Sequence, residues 1–332
     1  MAEARSHGKI RIARAIWYVG PGKVEIRAQQ VPMPRPGSAQ VKTLYSAVSR
    51  GTERLVSAGA VGKSEWERMR APLQEGNFPF PVKYGYCAVG TVTLGPPELE
   101  GKTVFCLHPH QDAFNVETSR LTVVPDAIPP RRATLAANME TALNALWDAG
   151  AGPADRIVVV GAGIVGLLVA SLAARLPGAD VTIVDVQDRS QIARDLGVRF
   201  AFPDAAPSGA DIAFHASAHE KGLETAIGCT GFEGKVVEMS WYGNRPVTIG
   251  LGDAFHSQRL HLISTQVGHV SASRRPRWDY GRRMAAALRL LDDDRLDVLT
   301  QDGFDFDEAV VKLPEALGGP TAGLAPVIRY PE

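Results

Sequence analysis

Three glycines, Gly161, Gly163 and Gly166, sit in VVVGAGIVG, with a β-branched run before them and an apolar helical pattern after. The first glycine permits a tight turn, the second lets backbone approach a pyrophosphate, and the third allows helix and strand to pack closely. The helix opening at Ile164 and Val165 then presents unpaired N–H groups to the phosphate charge. Nineteen residues beyond Gly166, the pattern VTIVD ends in Asp185, whose carboxylate can accept hydrogen bonds from an adenosine ribose. A 2′-phosphate would be repelled there. Arg189, four positions on, could compensate for that charge or cover the adenine. The spacing therefore predicts dinucleotide binding, with NAD(H) favoured over NADP(H).

Two further stretches carry groups able to do chemistry. In FCLHPHQDAF, Cys106, His108 and His110 recur with period two and would share one face of an extended chain. Such a pattern can ligate zinc, but Pro109 disturbs regular pairing and no second cysteine is close. A histidine here could instead carry protons in a substrate pocket, or simply pack. His215, Ala216 and Ser217 end DIAFHAS, while Ser240, Trp241 and Tyr242 end VVEMSWY. Ligands of parallel sheets sit beyond the carboxyl ends of the strands, so both groups are expected beside a nicotinamide.

The elements that must position these residues change character along the chain. From Ile10 to about Pro125 the sequence is β-rich and punctuated by Gly and Pro, as in VKTLYSAVS, YGYCAVGTVTLG and KTVFCL, which predicts a largely antiparallel unit. RRATLAANMETALNALWDAG then has helical spacing and reads as a linking helix. From Arg156 strands and helices alternate in the rhythm of a parallel sheet covered by helices. WDYGRRMAAALRLLDDDRL predicts a helix with Met284, Leu288 and Leu291 on one face, and APVIRY a closing strand. The uncharged run 157–174 has the length of a membrane span, yet its β-branched start and glycine cluster fit a buried strand turning into a buried helix. The arginines at 274–283 read as a solvated helix end or a polyanion site.

A chain of 332 residues can form roughly two domains with cores of their own. Lys plus Arg and Asp plus Glu number 36 each, so no net field points to nucleic acid or a membrane surface, and a small-molecule partner is expected. Three scattered cysteines suit a reducing cytoplasm rather than a disulfide framework. The N-terminal stretch MAEARSHGKIRIARA lacks the apolar core of an export signal.

SRGTE at 49–53, YGYCAVG at 84–90, VGAGIVG at 160–166 and GKVVEMSWYG at 234–243 together resemble the medium-chain dehydrogenase/reductase superfamily, over nearly the whole chain. SRGTE followed by LVSAG, with YGYCAVG, is most similar to the branch that contains bacteriochlorophyllide a dehydrogenase. The resemblance implies a Rossmann doubly wound parallel sheet plus a β-rich GroES-like catalytic domain. The chain would then divide into residues 1–135 for the catalytic domain, 136–272 for the Rossmann domain, and 273–332 for a return completing the first. A homodimer is implied as well.

Zinc-bearing relatives have Cys-Gly-Thr-Asp where this chain has Arg50, Gly51, Thr52 and Glu53, and Gly-His-Glu where it has Gly85, Tyr86 and Cys87. The four-cysteine structural lobe is missing too, so the resemblance implies a zinc-free member with no metal ligands at this site. Thr52 matches the residue whose hydroxyl meets the substrate oxygen in that family. Glu53 could orient Tyr86. Arg50, Thr52 and Tyr86 would then stabilise a carbonyl or alkoxide oxygen with fixed donors in place of a Lewis acid. The alternative is a structural tyrosine and a surface arginine. Glu140, near the family's further ligand position at Ala137, could face the nicotinamide or serve only the helix dipole.

The expected activity is zinc-independent, NAD(H)-dependent interconversion of a secondary alcohol and a ketone, on a side chain of a ring system in that branch. A quinone or activated-alkene reductase and a non-catalytic NAD(H)-binding sensor are the competing readings.

Overall fold

Alternating residues in RIARAIWYVG bury Ala13 and Ala15 on one face of the first strand and Ile16 and Tyr18 on the other. The computed structural model describes residues 11–319 and 324–331. Residues 1–10, which include Ile10 and most of the N-terminal stretch considered above, lie outside them.

The first unit holds Met1–Leu135 and Thr300–Glu332. Strand β1 (Arg11–Gly20) forms a hairpin with β2 (Lys23–Val31), and β5 (Val82–Lys83) and β4 (Glu75–Gly76) extend that sheet in the order β2-β1-β5-β4. A second sheet is built on β3 (Ser38–Ala47), flanked by β6 (Ala88–Leu94), β7 (Thr103–Cys106) and β9 (Thr122–Val123), with β8 (Ala113–Glu117) also on β3. Its core is Val41, Ala88, Val92, Val104, Phe114 and Val116. The chain returns at its end, where β16 (Gly303–Asp305) pairs with β17 (Val327–Arg329) and β17 runs antiparallel to β3. Helices α1 (Arg50–Ser57), α2 (Pro130–Ala133) and α9 (Ala309–Gly318) complete this unit.

YGYCAVG is only partly a strand. Pairing begins at Ala88, and Gly85 before it takes φ 117°, a conformation that favours glycine. A Cβ there would also lie 2.8 Å from the His110 ring. Tyr86 therefore sits on an irregular segment leading into β6.

The second unit is Ala136–Leu299. It begins with α3 (Ala136–Ala149) and alternates through β10 (Arg156–Val160), α4 (Ile164–Ala173), β11 (Asp180–Val184), α5 (Ser190–Asp195), β12 (Arg199–Ala201), β13 (Ala210–His215), α6 (Glu220–Cys229) and β14 (Thr230–Glu238). α7 (Ala254–Ser257), β15 (His261–Ser264) and α8 (Tyr280–Arg289) follow. The six strands are all parallel, in the order β12-β11-β10-β13-β14-β15, so the winding reverses beside β10 and β13. A doubly wound sheet opens its ligand crevice at that reversal.

Three expectations change. The return to the first unit begins at Thr300 and not at 273, because α8 is tied to α3 within the second unit: Arg283 Nε donates to Glu140 at 2.9 Å and Nη1 to Asn144 at 2.7 Å. The linking helix is two pieces, α2 and α3, and the Thr134 hydroxyl donates to the Arg131 carbonyl where the first ends. The arginine run is not wholly a solvated helix end, since Arg283 is buried and the Arg282 guanidinium lies 4.0 Å from the Trp278 ring. The uncharged run 157–174 divides into β10, the glycine turn and α4. Among the described residues no helix is long and apolar enough to cross a membrane.

Candidate functional site

The glycine turn that joins β10 to α4 shows why each glycine is there. Gly161 takes φ 110°, and a Cβ on it would come within 2.6 Å of the Ser217 nitrogen. A Cβ on Gly166 would lie 1.9 Å from the Gly161 carbonyl oxygen. Gly163 is different: it is exposed, and its Cβ position has nothing within 4 Å. It caps α4 without a side chain, so no side chain of the cap residue covers the first N–H groups of the helix. Ile164 is buried and Val165 partly buried in that first turn. Open space over Gly163, beside a bare helix N-terminus, fits a pyrophosphate.

Asp185 follows directly on β11. Its carboxylate accepts from the Ala162 N–H at 2.6 Å and from the Gln187 N–H at 2.8 Å, which fastens it to the glycine turn. Each oxygen retains a lone pair for a ribose hydroxyl. Arg189, at the start of α5, donates to the Gln187 side chain at 2.9 Å.

At the carboxyl ends of β13 and β14, His215 and Glu238 are register partners. The fully buried His215 ring has Nδ1 2.9 Å from Glu238 Oε2 and Nε2 2.7 Å from the Ser217 hydroxyl. Glu238 also accepts from the Ser240 N–H at 2.7 Å and the Tyr242 hydroxyl at 3.1 Å. Burial opposes ionisation of Glu238, but His215 and Ser240 outweigh it and hold the carboxyl below its usual value. Ala216 N–H donates to the Val160 carbonyl at 2.8 Å, continuing the ladder to β10. Trp241 is partly buried just past β14. Glu238 escaped the sequence reading although it stands in GKVVEMSWYG. A lone acid closing an apolar strand was the available signal.

In the first unit, Thr52 and Tyr86 come together. The Thr52 and Ser49 side chains lie beside the Tyr86 phenol and favour its ionised form, but burial, with Cys87 beside it, outweighs them, pushes that phenol well up and keeps it protonated. Ser49 was also missed: it is the N-cap of α1, yet its side chain makes no capping bond.

Glu53 does not orient Tyr86. It is fully buried and accepts from the Tyr18 hydroxyl at 2.6 Å, the His110 Nε2 at 2.9 Å and the Ser49 N–H at 2.7 Å. The other His110 nitrogen lies 2.7 Å from the Ser46 hydroxyl, which meets the Tyr330 hydroxyl at 2.9 Å. Burial alone would raise the Glu53 carboxyl, but His110, Tyr18 and Ser49 together hold it below its usual value.

The remaining expected site residues are placed elsewhere. Arg50 donates to the Ala316 and Gly319 carbonyls at 3.0 and 2.9 Å, satisfying the end of α9. His108 stacks on Phe114 at 3.6 Å and meets the Pro109 carbonyl at 2.9 Å. Burial, helped by Lys83 and His110, drives its pKa down to about 3 against that carbonyl, so it is neutral and a weak base. Glu140 is buried against Arg283 at 2.9 Å, which commits it to the α3–α8 contact and not to a ligand. Burial raises its carboxyl against the pull of Arg283. Cys106 is buried with its thiol pushed up to about 12, and among the described residues no three His, Cys, Asp or Glu side chains gather to hold a metal.

No protein-family model matches the sequence. Solved structures do resemble it. L-idonate 5-dehydrogenase from Escherichia coli is 15% identical, with a TM-score of 0.79 over 98% of this chain and 100% of that one. 2R,3R-butanediol dehydrogenase from Bacillus subtilis is 17% identical, with a TM-score of 0.76 over 96% and 100%. An Escherichia coli alcohol dehydrogenase in complex with NADH is 14% identical, with a TM-score of 0.74 over 96% and 99%. The chain is similar to these enzymes along nearly its whole length, and it has their fold: a Rossmann-type parallel sheet and a separate antiparallel β-rich unit.

Proposed function

We propose that the protein is an NAD(H)-dependent oxidoreductase of the medium-chain type, interconverting a secondary alcohol and a ketone. The observation that carries this is the glycine turn with Asp185: open space over Gly163, a bare helix N-terminus, and a carboxylate fastened to the turn. Bound NAD(H) would supply the hydride acceptor or donor. The Gly161–Gly166 turn holds the pyrophosphate, Asp185 the ribose, and the strand ends at 215–217 and 240–242 the nicotinamide half. Thr52 and Tyr86, steadied by Ser49, donate hydrogen bonds to the substrate oxygen.

Zinc independence is supported by residue type, since Arg50 and Tyr86 stand where the resemblance has cysteine and histidine ligands. The finer substrate class, a side chain on a ring system, rests on SRGTE and YGYCAVG alone. Homodimer formation belongs to the same proposal. A quinone or alkene reductase is less favoured, because Asp185 opposes the 2′-phosphate of NADPH.

The test is cofactor binding by fluorescence. NADH should bind at least about tenfold more tightly than NADPH, and Asp185→Ser should narrow the gap. Tighter NADPH binding by the native protein would remove the ribose assignment. Gly163→Val should cost about tenfold or more in NADH affinity with the melting temperature unchanged, since its side chain enters only open space at an ordinary φ of −77°. Undiminished NADH binding by that variant would place the pyrophosphate elsewhere.

A further inference from the structure

We propose that Ser217, His215 and Glu238 form a proton relay within the Rossmann unit, receiving at the Ser217 hydroxyl the proton that an alcohol loses on becoming a ketone. The proposal rests on the hydride-transfer reading above and assigns these residues a chemical role beyond holding a cofactor.

The direction of the relay follows from the donors and acceptors. Glu238 is ionised and can only accept, so His215 Nδ1 carries the hydrogen of that 2.9 Å bond. In the neutral ring Nε2 is then a lone pair, and it accepts from the Ser217 hydroxyl at 2.7 Å. A proton arriving at Ser217 Oγ displaces that hydroxyl's own proton onto Nε2. The resulting imidazolium lies against a carboxylate that the Ser240 N–H and the Tyr242 hydroxyl hold in place. Alcohol oxidation removes two hydrogens: bound NAD would take up the carbinol hydrogen as hydride, and the hydroxyl proton goes to Ser217. Reduction returns it by the same route.

Position supports the assignment. His215 is fully buried while Ser217 is partly exposed, so Ser217 is the accessible end of the pair. Ser217 also adjoins the glycine turn, where the Gly161 Cβ position is 2.6 Å from its nitrogen. This is the reversal point of the sheet, on the half that takes the nicotinamide nucleotide. The relay has shaped its surroundings too: Gly222 in α6 has a Cβ position 2.1 Å from the Ser217 hydroxyl oxygen and 3.0 Å from His215 Nε2, so only glycine leaves the pair intact. The groups that face His215 are Glu238, Ser240 and Tyr242 on one side and Ser217 and Gly222 on the other, with apolar Val160 beside it on β10. Arg245 acts more remotely, 5.8 Å from the Tyr242 ring. The nearest charge on the imidazole is therefore that of Glu238.

The experiment compares native protein with His215→Gln, Ser217→Ala and Glu238→Gln. NMR of the His215 imidazole nitrogens in ligand-free protein should show the hydrogen on Nδ1 and the lone pair on Nε2, and that preference should be lost in Glu238→Gln. Turnover of alcohol at neutral pH should fall by about tenfold to a hundredfold in His215→Gln and Ser217→Ala, more than NADH affinity does. It should recover as pH rises and hydroxide takes over the proton. Native turnover and an unchanged pH profile in both, with NADH still bound, would overturn the relay and leave the hydride reading standing. Native protein that binds no NADH would overturn that reading itself. Covalent labelling of Ser217 by a fluorophosphonate would replace the relay with a nucleophile. Should His215→Gln fail to fold, Ser217→Ala carries the test, because its side chain is only partly buried.

Discussion

Glu53→Gln will lower the unfolding free energy by about 3–5 kcal/mol, the usual cost of removing one member of a buried charged network. The carboxylate accepts three hydrogen bonds, from Tyr18, His110 and Ser49, in a place without solvent. An amide of the same shape accepts at one atom only, so its NH₂ must face a donor and leave it unmet. Urea denaturation of both proteins measures the loss. The dependence on pH has a definite sign. Since the folded carboxyl is held below its unfolded value of about 4.3, its stabilisation is complete above that value and disappears as the pH falls through the folded pKa. The variant should therefore show a flatter stability profile in acid. Equal urea midpoints at neutral pH would show that the network contributes nothing to folding.

Tyr86→Phe should reduce turnover by about tenfold to a thousandfold with NADH affinity nearly intact. The substitution keeps the ring, including its edge contact with Tyr84 at 6.0 Å, and deletes only the hydroxyl. That hydroxyl is protonated at any ordinary pH and lies beside Ser49 and Thr52, so it can donate to an oxygen as charge develops there. Thr52→Val, which removes the neighbouring hydroxyl at nearly constant volume, should lower turnover in the same range. Steady-state turnover of each variant, beside NADH binding by fluorescence, separates a transition-state effect from a binding effect. Full activity in both would reduce the cluster to a structural bond between α1 and the segment before β6.

The glycine turn between β10 and α4 was legible because its requirements are local. A turn, a helix start and a strand end all lie between Ile157 and Asp185, and each glycine answers a demand made by atoms close by, as when Gly166 meets the Gly161 carbonyl. The βαβ rhythm likewise carries its own periodicity. The polar partners inside each unit were not legible, because they are chosen by burial across long stretches of chain. Glu53 meets His110 fifty-seven residues away, Glu140 meets Arg283 at a separation of 143, and Arg50 reaches Ala316 at 266. A buried carboxylate or guanidinium must be satisfied by whichever group the fold brings near, and spacing in the sequence does not say which. Sheet register made the same kind of choice when it set His215 beside Glu238. The sequence alone thus determined the glycine turn and the order of the strands and helices around it, whereas only the tertiary structure decided that Arg50 and Glu140 hold helices in place and that Ser217, His215 and Glu238 are joined by hydrogen bonds.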